Sequence, residues 1–139
     1  MRASAIVRQL PARLAAGAFI VNAGVGKWSA DEEAAKRLHA MAVGTYPFLS
    51  SIEPKDFVKM LAAGEIALGS VLLLPVVPAA LAGAALTAFS GSLLGMYLRT
   101  PGMRREGSLR PTQQGTALAK DVWLLGIGVG LMLDAATDA

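Results

Sequence analysis

Lys27, Glu65, Lys120 and Asp121 are the residues of this chain whose types and spacing point to chemistry, because each stands within or beside a long apolar run. Between Lys59 and Arg99 the one charged residue is Glu65. A carboxylate embedded in an apolar medium is costly, so it must be protonated or paired with a cation, and Lys27 and Lys120 are the candidates. The four formal charges sum to zero, as an internally compensated cluster requires. Asn22, a turn and a half before Lys27, and Tyr97, at the close of an apolar run, extend the candidate site. Such a cluster has three uses: tying helices together, holding a polar headgroup, quinone or other small molecule, or passing a proton or ion. The single histidine, His39, falls on an amphipathic stretch and reads as a solvated residue. One histidine cannot supply a haem pair or a multi-histidine metal site, and no metal site is expected. The chain has no cysteine, which excludes dithiol redox chemistry, iron–sulfur clusters and thiolate zinc sites carried by this chain alone. No nucleophile–base pair or phosphate loop is evident, and no cofactor is expected beyond a quinone or lipid.

The elements that position these residues follow from composition. At 139 residues the chain suffices for one domain, 1–139. Hydrophobic residues make up 54% and charged residues 17%, against about 25% charged in soluble domains, and the mean hydropathy is +0.50. These values exclude disorder and leave too little polar surface to cover a water-soluble globule. The expectation is an integral protein of a cell membrane. The net charge of +3 suits loops that face anionic lipid. With no basic run interleaved with aromatics, nucleic acid is not an expected partner.

The apolar runs predict an all-α, integral membrane four-helix bundle with spans at about 10–28, 55–74, 79–98 and 112–135. The basic start and apolar centre of the first run have the outline of a signal peptide, but no cleavage site and mature polar region follow, so a retained helix is expected. A short interfacial amphipathic helix is expected between spans one and two. Ser29 and Glu32 read as its capping box, and Ala34, Leu38, Met41 and Ala42 recur along one face as far as Gly44. Tyr46, Pro47, Phe48 and Leu49 suit an interfacial turn. Pro54 opens the second span, Pro75 and Pro78 force a reversal, and the stretch TPGMRREGSLRPTQQG reads as a loop before a span that begins near Thr112.

Both termini then lie on one side and both long connections on the other. Arg2, Arg8 and Arg13 fall on the terminal side and the other ten Lys and Arg on the connection side, which favours cytoplasmic connections. The acidic residues also gather there, and the basic N-terminus argues the other way. Gly83, Thr87, Gly91 and Gly95 recur every fourth residue, as do Gly126 and Gly130, which predicts close helix packing, with a glycine-lined path as the alternative. The uncharged stretches Leu14–Gly26 and Val122–Leu133 cover only about 18–20 Å of a hydrocarbon core about 30 Å thick. Some flanking charges must enter the membrane zone, snorkel out of it, or thin the bilayer.

Three stretches, RLAAGAFIVNAGVGKW, AAGEIALGSVLLL and KDVWLLGIGVGLML, taken in this order with their embedded charges, resemble the DoxX family of small four-helix bacterial membrane proteins. The resemblance covers nearly the whole chain. It implies that Lys27, Glu65, Lys120 and Asp121 occupy the family's polar helix-end positions, and it implies a redox setting, since DoxD-type relatives are subunits of thiosulfate:quinone oxidoreductase. The long additional domain of some sulfur-oxidising relatives is absent. The expected function is a non-catalytic accessory subunit of a larger respiratory or redox membrane complex, in contact with the lipid bilayer and other membrane subunits. A quinone-reactive oxidoreductase subunit is the alternative, and a small-solute transporter the third reading.

Overall fold

The computed structural model describes residues 3–137, which are mostly helical with no strand among them. The helices are α1 (Ala3–Trp28), α2 (Glu32–Thr45), α3 (Pro54–Leu73), α4 (Ala79–Arg99), the single turn α5 (Thr116–Ala119) and α6 (Asp121–Thr137); a 3₁₀ turn covers Pro47–Ser51. Several boundaries differ from the sequence reading: α1 begins at Ala3 rather than near residue 10, and the final helical stretch is broken at Lys120. Asp31, not Ser29, caps α2: its side chain accepts the Ala34 N–H at 2.8 Å, while Ala30 is drawn into a turn on the Lys27 carbonyl. The final helix starts at Thr116 rather than near Thr112. Thr112 is held in the preceding loop, where its hydroxyl donates to the Gly102 carbonyl at 2.6 Å.

The long helices pack as two antiparallel pairs, α1 with α3 and α4 with α6, with few contacts between the pairs. Glycine makes both seams. A methyl on Gly69 would stand 2.5 Å from the Val21 side chain and 2.7 Å from the Gly17 carbonyl oxygen, and one on Gly24 2.8 Å from the Ala62 carbonyl oxygen. Across the other pair, a methyl on Gly83 would meet the Gly128 carbonyl oxygen at 2.6 Å, and one on Gly128 the Thr87 hydroxyl at 2.6 Å. Gly83 and Thr87 therefore sit in a helix seam. Gly91, Gly126 and Gly130 face open space, because the α6 face turned to α4 is that of Gly128 and Leu131, out of phase with Gly126 and Gly130. Gly95 instead receives the Tyr46 hydroxyl from the α2–α3 connection.

Size is distributed inside-out. The buried positions include Ala5, Ala16, Ala62, Ala79 and Ala82, whereas Phe19, Met60, Leu81, Trp123 and Leu133 are each more than 60% exposed. Alanine and glycine where helices meet and large apolar residues outside are what helices packed in lipid show. Among the described residues, Ala79–Arg99 and Thr116–Thr137 are long and apolar enough to cross a membrane, and only 11% of the latter's apolar window is buried. α1 and α3 fall short of that measure, unlike the four spans expected. The reason is compositional: α1 carries Arg8, Arg13 and Lys27, and α3 carries Lys55, Asp56, Lys59 and Glu65.

The molecule is solid at one end and hollow at the other. Ala16, Ile20, Leu72, Ala79, Ala82, Leu86 and Leu131 form the packed core in the half near the termini. Arg13 is the anchor of that half. It is 1% exposed and donates to four backbone carbonyls, those of Leu72 (2.8 Å), Val71 (2.9 Å), Leu74 (2.9 Å) and Val77 (3.0 Å). The last carbonyls of a helix have no partner within it and attract positive charge. Arg13 therefore does not snorkel outwards but closes the end of α3 and the turn after it. Beside it, Arg8 and Gln9 of α1 bind the Asp134 carboxylate of α6 at 2.7 Å each, so the described ends of the chain lie at the same end of the molecule.

Candidate functional site

In the hollow half, α1, α2, α3, α4, α5 and α6 surround a cavity of about 610 Å³. Its walls follow from helical spacing. Phe19, Ala23 and Lys27 recur every fourth residue on α1, and Phe57, Leu61 and Glu65 do so on α3, so each helix presents an aromatic ring, an aliphatic step and a charge along one stripe. Phe89, Leu93 and Met96 of α4 complete the apolar wall, and Leu38, Met41 and Ala42 of α2 cover it.

Charge is concentrated at one place in this lining. Lys27 Nζ lies 3.0 Å from Glu65 Oε1 and 3.3 Å from Oε2. The directed hydrogen bond is the one to Oε2; Oε1, within ion-pairing distance, accepts no aligned hydrogen bond among the described residues. Glu65 is 4% exposed, so the pair is shielded on the carboxylate side. Asp121 lines the same cavity and interacts electrostatically with both Lys27 and Glu65. Helix ends favour this arrangement: Lys27 is in the last turn of α1 and Asp121 in the first turn of α6, each with the sign that its helix dipole stabilises. Glu65, in the interior of α3, has no such help and relies on Lys27.

Three of the six residues expected in the polar cluster come together: Lys27, Glu65 and Asp121. Asn22, Tyr97 and Lys120 do not line the cavity. Asn22 is exposed, because five residues before Lys27 is about 140° around the helix. Tyr97 is buried on the opposite side of Met96, where its hydroxyl donates to the Leu109 carbonyl at 2.7 Å and ties down the loop after α4. Lys120 is exposed at the break between α5 and α6, so it is Lys27 that pairs with Glu65. His39 is likewise not merely solvated. Its Nε2 is within 2.9 Å of the Leu49 carbonyl oxygen and its ring meets Phe57 edge-on, which fixes α2 over the cavity.

The sequence reading passed over Ser92 and the functional role of Tyr46. The Tyr46 hydroxyl donates to the Ser92 carbonyl at 2.7 Å and closes the cover against α4. The wall residues carried a usable signal, the four-residue spacing of Phe57, Leu61 and Glu65. With hydroxyls and ammonium already engaged within the protein, the site offers an apolar slot with spare acceptor capacity at its carboxylates. No protein-family profile, curated protein or solved structure matches this chain.

Proposed function

We propose that this chain is a four-span membrane protein of the DoxX type that holds a lipophilic molecule and serves as a non-catalytic accessory subunit of a larger membrane assembly, respiratory or redox in character. The observation that carries this reading is the cavity, whose aromatic and aliphatic walls end at the Lys27–Glu65–Asp121 cluster. Its volume falls in the range of small-molecule sites, and an apolar slot with a few convergent polar groups is the usual form of one.

Four spans are supported by how α1 and α3 dispose of their charge. Arg13 is spent on carbonyls of the α3 end, Lys27 and Glu65 on one another, and Val7, Leu14, Val25 and Met60 face outwards. Binding is favoured over bond-making because Tyr46 and Lys27 both donate within the protein. A quinone-reactive site needs free donors for the quinone carbonyls, and the geometry lends that reading less support.

Purification from native membranes in several mild detergents tests the proposal. The expected result is stoichiometric co-isolation of other membrane subunits together with an organic-extractable lipophilic molecule. Recovery of the lone chain, empty, from every detergent overturns it.

A further inference from the structure

Lys27, Glu65 and Asp121 are the charged side chains that line the cavity. One ammonium against two carboxylates, +1 and −2, leaves an excess of one negative charge inside an apolar enclosure. Lys27 Nζ serves both Glu65 oxygens, at 3.0 Å from Oε1 and 3.3 Å from Oε2, and Glu65 is 4% exposed, so the carboxylate left uncompensated and open to the cavity is that of Asp121. Lys120, which would have restored neutrality, is exposed and outside the cavity. The hydroxyls nearby do not relieve the deficit of donors: Tyr46 donates to the Ser92 carbonyl, and Ser92 to the Phe89 carbonyl of its own helix. What is missing at the charged end is a cation with N–H groups, and what is missing along the walls is hydrocarbon.

We infer that the cavity takes a single-chain lipophilic amine, its protonated nitrogen held by Asp121, its alkyl chain along the stripe of Phe57, Phe89 and Leu93. The inference rests on the proposed binding role of the cavity and adds the chemical class of the ligand. The nitrogen supplies up to three donors and the Asp121 carboxylate can accept from more than one of them, and a charge-assisted hydrogen bond is stronger than a neutral one. The apolar walls favour a chain over a compact cation, because an alkyl chain makes dispersion contacts along them that a compact cation leaves unmade.

The test compares labelled dodecylamine with labelled dodecanol, of the same chain length, binding to the full chain in nanodiscs. The expected result is saturable binding of both, with the amine at least tenfold tighter. Asp121→Asn is expected to reduce that preference about tenfold, and Ala23→Phe, which narrows the cavity, to weaken binding of both. Equal affinity for amine and alcohol overturns the inference but leaves the binding role intact. Failure of both to bind saturably removes the binding role itself. A preference for the amine that survives Asp121→Asn, in protein with an unchanged melting profile, places the cation elsewhere and also overturns the inference.

Discussion

The Arg13 guanidinium donates its Nε–H to the Leu72 carbonyl at 2.8 Å, joining residues 59 positions apart in the chain. With its other N–H groups on Val71, Leu74 and Val77, this one side chain satisfies the end of α3 and the turn that leads into α4. Arg13→Ala exposes those carbonyls to an apolar surrounding, and the expected loss of stability is about 3 kcal/mol or more. Arg13→Lys is expected to recover only part of it, since an ammonium is a point donor and cannot span the fork's acceptors. Reversible unfolding in mixed micelles measures both; an Arg13→Ala protein as stable as the parent would show that the buried guanidinium is dispensable.

The ion pair between α1 and α3 makes a prediction that separates Lys27 from Lys120. Glu65→Ala leaves a half-buried ammonium without its partner and is expected to destabilise by about 3 kcal/mol, while the Lys27→Ala, Glu65→Ala double variant should lose clearly less than the sum of the two single changes. Lys120→Ala, at an exposed position, is expected to stay within about 0.5 kcal/mol of the parent. Melting curves of the four proteins decide it. A coupling between Glu65 and Lys120 would contradict the observed pairing.

Glycine substitutions on α6 distinguish its packed face from its open one. At Gly128 a methyl meets the Thr87 hydroxyl at 2.6 Å and the Thr87 backbone nitrogen at 2.9 Å. Gly128→Ala is expected to cost about 1–3 kcal/mol through forced separation of α4 and α6. Gly126→Ala and Gly130→Ala meet nothing within 4 Å and are expected to be neutral or slightly stabilising, because alanine favours the helix. Thermal unfolding of the three single variants is the measurement.

The absence of native cysteine makes side-specific labelling direct. Single cysteines at Ser4 and Val76 are expected to react from one face of sealed vesicles, and those at Phe48 and Leu109 from the other. The four positions bracket α1, α3 and α4 in turn, so each change of side reports one crossing. Phe48, Val76 and Leu109 are 73%, 83% and 72% exposed, which makes them accessible to a soluble maleimide. Labelling of all four from the same face would remove the four-span reading.

Gly95 links the cover of the cavity to α4. A methyl there would stand 2.8 Å from the Tyr46 hydroxyl, which donates to the Ser92 carbonyl. Gly95→Ala is expected to displace Tyr46 and to raise amide hydrogen exchange across α2, with little change in the far half of the molecule. Unchanged protection of α2 would show that Tyr46 does not hold the cover.

The sequence by itself determined the helices and the setting of the charges. Proline at 54, 75 and 78 and the apolar runs place the ends of α3 and the start of α4 within a residue or two, because proline cannot continue a helix interior. The scarcity of charge from Met60 to Leu98 singles out Glu65, and helix periodicity alone puts Phe57, Leu61 and Glu65 on one stripe. What only the tertiary structure decided is which stripe faces which neighbour. The four-residue spacing on α6 points to Gly126 and Gly130, yet the seam runs through Gly128, which has no glycine at that spacing and is identified only by its backbone contact with Thr87. Lys27 and Lys120 are equivalent partners for Glu65 on charge alone; the rotation of α1 that seats Gly24 on Ala62 brings Lys27 to it, while the helix break at Lys120 turns that residue outwards. Arg13 reads as a flanking cation until its acceptors are known, and they are carbonyls, which every residue carries and no sequence pattern marks.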